Sequence, residues 1–180
     1  MIAVRSARWP GDLAAVAAMD RSFVTDRRYC VVRGDLSFHL ALETVDPPLH
    51  KRYDLDLSER QSWDCALVAE QGGGPIGFAA ARYAEWNRRV IIDHLYVAPY
   101  ARGAGVGRVL LSALDSFAHS RGARCLWLET QNVNYPAIQF YRRAGFTLCG
   151  FDDSLYDPPL LGPEETALFF SRAVPWRGDE

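Results

Sequence analysis

A buried strand that runs into a glycine-rich turn and then into a long one-faced helix is the feature that most limits what this chain can become. Val90-Ile-Ile-Asp-His-Leu-Tyr-Val97 is β-branched and strongly apolar, as a strand covered on both faces should be. Arg102-Gly103-Ala104-Gly105-Val106-Gly107-Arg108 follows it. Then Val106, Val109, Leu110, Ala113, Leu114, Phe117 and Ala118 recur at spacings of three and four, one apolar stripe over about four helical turns. Unpaired amides at the start of that helix, together with its dipole, make an anion site. Glycines at 103, 105 and 107 let the backbone approach an oxygen closely. Two common phosphate loops are excluded. A Walker loop needs Gly-Lys-Ser/Thr, whereas the only lysine is Lys51, and G-x-G-x-x-G fails because Arg108 stands in its third glycine position.

The surrounding pattern alternates helix and strand. Ile2–Arg8 alternates apolar and polar residues like an edge strand, and Pro10-Gly11-Asp12 opens an amphipathic helix through Leu13, Val16, Ala17 and Met19. Residues 22–63 mix aromatic, acidic and proline-containing pieces and read as a short helix over 35–43 within otherwise irregular structure. A hairpin follows, 65–70 and 76–84 about the turn Gly72-Gly73-Gly74-Pro75. Beyond the long helix, Gly122 suits a left-handed cap, 125–129 resumes as a buried strand, and Asn134 caps a helix with Pro136 in its first turn that ends at Gly145. Strands over 146–151 and 166–174, joined by an acidic loop, complete a mixed α/β domain over 1–174 with a tail at 175–180.

Composition removes several function classes. The chain of 180 residues is 49% hydrophobic and carries a net charge of −2, which suits an ordinary folded domain and argues against a nucleic-acid binder. No apolar stretch reaches the roughly 18 residues of a membrane span, and the N-terminus lacks the apolar core of a secretory signal, so a cytoplasmic location without membrane attachment is expected. Cys30, Cys65, Cys125 and Cys149 form no Cys-x-x-Cys, and His39, His50, His94 and His119 no His-x-x-x-His, so no metal site is expected. Charge is segregated. Residues 98–145 hold six arginines against Asp115 and Glu129, whereas 146–171 hold Asp152, Asp153, Asp157, Glu164 and Glu165 with no cation. Residues 35–70 add a second acidic block.

Arg102-x-x-Gly105-x-Gly107 after a strand resembles the acyl-CoA pyrophosphate loop of the GNAT superfamily of N-acetyltransferases. Asn134-Tyr-Pro-Ala137-Ile-Gln-Phe140-Tyr141-Arg-Arg-Ala-Gly145-Phe146 is similar to that family's second cofactor motif. The resemblance implies a mixed central sheet with helices on both faces, splayed between its fourth and fifth strands to admit the pantetheine arm, and acetyl-CoA as co-substrate. It places the thioester carbonyl near the backbone of Leu95, Tyr96 and Val97, the pyrophosphate on 102–108, and Tyr141 as general acid toward the leaving thiolate, with Asn134 in the second cofactor motif. Trp86-Asn87, Leu128-Glu129-Thr130-Gln131, Gly150-Phe151-Asp152, Leu155-Tyr156 and Glu165-Thr-Ala-Leu-Phe-Phe are similar to the streptothricin acetyltransferase branch.

A phenol with a pKa near 10 can protonate a thiolate as it forms. An alkylamine with a pKa near 10.4 is mostly protonated at neutral pH, and exposing its lone pair costs about 4 kcal/mol, so a base is useful. Asp93 and Glu129 are the candidates, because a carboxylate within an apolar strand is otherwise expensive; each has structural ion pairing as its alternative. His94 reads as a wall residue. Acidic loops suit a cationic amine, with Asp152 and Asp153 as its counter-charges and Trp86, Asn87 and Tyr156 at its walls. The expected activity is acetylation of a small cationic amine, with streptothricin as the candidate substrate. Acetylation of a protein lysine or N-terminus and a non-catalytic acyl-CoA sensor stay open, as does the oligomeric state, a homodimer included.

Overall fold

The computed structural model describes residues 1–157 and 165–175, apart from the side chain of Glu59. The expected tail beyond Pro175 and half of the acidic loop, 158–164 with Glu164 included, lie outside the described residues. The element order is β1 (Ala3–Ser6), α1 (Leu13–Ala17), β2 (Ser22–Arg33), β3 (Phe38–Arg52), β4 (Cys65–Gln71), β5 (Gly74–Ala84), β6 (Arg89–Val97), α2 (Val106–Ser120), β7 (Cys125–Gln131), α3 (Tyr135–Arg143), β8 (Thr147–Asp152) and β9 (Ala167–Ala173). Seven strands make a mixed sheet in the order β1-β4-β5-β6-β7-β9-β8, and β2 pairs with β3 separately. The expected α/β class with a mixed central sheet holds.

The chain forms two compact units. The first comprises 1–22, 52–128 and the described residues from Arg172. Its core is the antiparallel run β1-β4-β5-β6, with β7 added in parallel from Arg89–Cys125 to Ile92–Leu128. β6 continues past that register as Asp93–Val97, the stretch expected at the splay. Opposite β5 the register steps from Ala80–His94 to Ala81–Ile92, which leaves Asp93 as the extra residue of a β-bulge. Helix α2 packs on β4, β5 and β6 through buried Val106, Leu110, Leu111, Leu114 and Ala118; of the stripe read from the sequence, Val109 is exposed and Leu111 takes a buried place that the stripe omitted. Its seat is made by Gly77 of β5, where a Cβ would stand 2.8 Å from Val106 Cγ1 and 3.0 Å from Leu110 Cδ1. Gly122 ends α2 at a φ of +62°, as its cap position required.

Helix α1 stops at Ala17, short of the expected Met19. The buried guanidinium of Arg21 accounts for the stop. Its Nη1 donates to the carbonyls of Val16, Ala17 and Met19, and its Nε to Tyr53, which satisfies the chain ends that a longer helix would have used.

The second unit comprises 23–51 and 129–171. Here the short helix expected over 35–43 is absent. β2 and β3 form a long two-stranded ribbon instead, and Pro47 and Pro48 fall within β3. Ribbon and sheet are joined at buried Asn132, whose side chain donates to the Tyr29 carbonyl at 2.8 Å and accepts from the Thr166 amide at 2.9 Å. Nearer the ribbon tip, Phe38 meets Phe151 edge-on at 4.6 Å. Helix α3 begins as expected, with the Asn134 side chain accepting from the Ala137 amide, and Gly145 follows its end at a φ of +85°.

Candidate active site

The loop after β6 has the form of an anion cradle. Gly103 and Gly105 adopt φ values of +80° and +89°, and a Cβ built on either meets nothing within 4 Å, so the backbone faces open space where a side chain would otherwise stand. Gly105 is the N-cap of α2, and helix geometry leaves the amides of Gly105, Val106, Gly107 and Arg108 without intrahelical acceptors. Gly103, Ala104 and Gly105 are exposed, whereas the Val106 side chain is buried and ties the loop to the core. These residues fit an acyl-CoA pyrophosphate. Arg102, which the resemblance places in the pyrophosphate loop, commits its guanidinium to backbone carbonyls. Its Nε donates to the Val97 carbonyl at 3.0 Å and its Nη2 to the Ser22 carbonyl at 2.6 Å, so its guanidinium clamps the loop to the end of β6. Arg108 is exposed.

The same clamp reveals which β6 amides face outward. In a strand, the N–H and C=O of one residue point to the same side, and the sides alternate. The Val97 carbonyl is reached by Arg102, and the Ala98 amide donates to Ile76 of β5 at 3.0 Å. Leu95 and Val97 therefore direct their amides away from β5, and Tyr96 directs its own toward it.

Asp93, the bulge residue, lies 3.2 Å from the Arg82 guanidinium, with its side chain 18% exposed. His94 has other neighbours: Tyr96 stacks on it at 5.7 Å and Trp63 meets it edge-on at 5.1 Å. Burial first, and the charge of Arg21 second, hold its imidazole down to about 4, so it is neutral at physiological pH and serves as a wall. Trp86 and Asn87 occupy a turn ahead of β6, at the end of the strand opposite the glycine loop. Trp86 is exposed, whereas the Asn87 side chain accepts from the Arg89 amide and its carbonyl from Arg124. The strand sets Trp86 and Asn87 roughly 25 Å from Leu95–Val97, so the first unit does not gather these residues into one group.

In the second unit, two predicted residues do meet. The Tyr156 hydroxyl donates to Glu129 Oε1. The carboxylate reaches solvent, yet the protein around it disfavours the charge and raises its pKa, and the tyrosine hydrogen bond opposes that shift. Tyr141 lies buried on α3, its ring edge-on to Phe146 at 5.7 Å. Asp152 accepts from the Ser154 amide and hydroxyl, which lower its pKa. Asp153 is paired with Arg33, whose guanidinium also lies 4.9 Å from the Phe151 ring, and Glu165 is paired with Lys51. Among the described residues, two of the four carboxylates of the acidic block thus have cations from the ribbon. The sequence pattern offered no signal for these pairs, which join residues more than 110 positions apart. Among the described residues, no group of three or more His, Cys, Asp or Glu is placed to hold a metal ion, and no helix is long and apolar enough to cross a membrane.

The sequence profile of the Acetyltransferase (GNAT) family matches residues 36–146. Streptothricin acetyltransferase of Streptomyces lavendulae is 42% identical over 95% of this chain and 94% of its own. The crystal structure of nourseothricin acetyltransferase superposes with a TM-score of 0.88 at 42% identity, covering 97% of this chain and 99% of its own. A Bacillus anthracis protein solved in complex with acetyl coenzyme A shares the fold, with a TM-score of 0.82 at 24% identity over 96% of this chain and 97% of its own. With its glycine loop at the head of α2, its second motif on α3 and a profile match across more than half its length, the chain belongs to the GNAT acetyltransferase family.

Proposed function

We propose that this chain, acting through residues 1–174, transfers the acetyl group of acetyl-CoA to a primary amine of a streptothricin-type antibiotic. Its 42% identity along almost the whole length of a streptothricin acetyltransferase carries the reading. Acetyl-CoA supplies the activated acetyl group. The glycine loop Gly103–Arg108 holds its pyrophosphate through backbone amides, and the outward amides of Leu95 and Val97 receive the charge that develops on the acyl oxygen. Glu129 accepts the amine proton at its carboxylate, and Tyr141 Oη returns a proton to the sulfur that leaves. The amine nitrogen gains the acyl bond as the carbon–sulfur bond breaks, so one acetyl group and one proton change places. Glu129 serves better as base than Asp93, because Asp93 is held by Arg82 whereas a raised pKa brings Glu129 nearer to working pH.

The test is turnover with acetyl-CoA against a panel holding streptothricin, other polyamines, lysine peptides and N-terminal peptides, followed by release of free thiol. Streptothricin is expected to give the highest kcat/KM. Preferential turnover of the peptides would replace this reading with protein acetylation, and acetyl-CoA binding without any turnover would make the chain a sensor.

A further inference from the structure

Gln131 is buried, 7% exposed, and its Oε1 has no hydrogen-bond partner among the described residues. A buried amide oxygen left in this state is unusual, since nearly all such groups are satisfied within the protein. The residue stands two positions after Glu129 on β7, so both side chains leave the same face of the strand, with Cα atoms roughly 7 Å apart. Asn132, next in the chain, uses both ends of its own amide, so the neighbourhood does not lack partners in general.

We propose that Gln131 Oε1 is a second acceptor for the substrate amine, which it orients together with Glu129. This rests on the amine-acetylating reading above. A neutral primary amine has two N–H bonds and one lone pair. With one N–H directed at the Glu129 carboxylate and the other at Gln131 Oε1, the lone pair points away from both, toward the group it must attack. The type of acceptor matters. A second carboxylate would hold the amine in its protonated, unreactive form, whereas a neutral amide oxygen fixes its orientation without that penalty. Gln131 is thus a positioning residue that acts on the nucleophile.

The test uses Gln131→Leu and Gln131→Met, which remove the acceptor at nearly constant volume. KM for streptothricin is expected to rise about 10- to 100-fold, the usual effect of one hydrogen bond to a charged or polar partner. Affinity for acetyl-CoA, measured by calorimetry, should stay within about twofold, and Tm should hold or rise, because an unsatisfied polar atom has left the interior. An unchanged KM would overturn the proposal. So would a loss confined to acetyl-CoA affinity, which would give the oxygen to the acyl carrier, or a fall of Tm in both variants, which would give it a structural partner. Should the wild-type protein acetylate some other amine and not streptothricin, the substrate reading fails by itself, and the same two variants compared on that amine still decide the role of Gln131.

Discussion

Tyr156 donates its hydroxyl hydrogen to Glu129, so the candidate base and the tyrosine 27 positions further along form one hydrogen-bonded pair. The surrounding protein pushes the Glu129 pKa up, and the tyrosine restrains it. A base must be ionised, so activity should fall as pH drops through a pKa above the ordinary carboxylate range. Tyr156→Phe removes the restraint and should move the acid limb of kcat/KM to higher pH. Glu129→Gln should abolish that limb and lower kcat by about 10²- to 10⁴-fold. An acid limb unmoved in the phenylalanine variant would separate the two residues.

Tyr141→Phe should lower the rate of the chemical step by about 10²- to 10⁴-fold and spare acetyl-CoA affinity, because the buried ring keeps its packing on Phe146 while the proton donor is lost. The measurement is single-turnover kinetics beside calorimetry. Wild-type turnover where chemistry limits the rate would leave Tyr141 a packing residue.

Gly105→Val should weaken acetyl-CoA binding at least about tenfold, because the new side chain fills the open side of the loop. The φ of +89° adds strain of its own, so the control is Gly122→Val, which has a φ of +62°, equally open surroundings and a place at the other end of α2. Both should lower Tm, and only the first should lower affinity.

Gly77→Ala acts on the loop from beneath. Its methyl would press on Val106 Cγ1 and Leu110 Cδ1 and lift the first turn of α2, at a cost of about 1–3 kcal/mol in stability. Acetyl-CoA affinity should fall with it, although residue 77 belongs to no motif. Unfolding by denaturant and binding by calorimetry measure the two effects.

Asp152 and Asp153 should differ in their influence on a cationic substrate. Arg33 already offsets Asp153, whereas the Asp152 carboxylate is held ionised by Ser154. Asp152→Asn, which keeps the turn acceptor, should raise KM severalfold, and Asp153→Asn should do less. Both effects should fade with added salt, since charges are screened over about 8 Å at physiological ionic strength. Equal effects in the two variants, unchanged by salt, would remove steering as their cause.

The strand, loop and helix of the proposed acyl-CoA site were legible because local chemistry determines them. An apolar strand, three glycines and a stripe at spacings of three and four need no distant partner to be read. The ribbon of β2 and β3 was not legible because most of its residues are exposed, so alternation of buried and open positions is confined to short pieces at its base, and two prolines argue against a sheet. The bulge at Asp93 was hidden for another reason. It depends on the register against β5, and strict alternation along β6 gives no sign of it. The ion pairs of Asp153 and Glu165 are the largest correction to the site, and they follow from the ribbon that the pattern missed.

Lys51 is the only lysine in the chain, and its ammonium is held by Glu165 with both side chains 13% exposed. The one lysine side chain of the sequence is thus paired and enclosed, which makes it a poor acceptor for an activated acyl donor. Amine-directed reagents should reach Lys51 slowly while Glu165 holds it, and faster once Glu165→Gln breaks the pair.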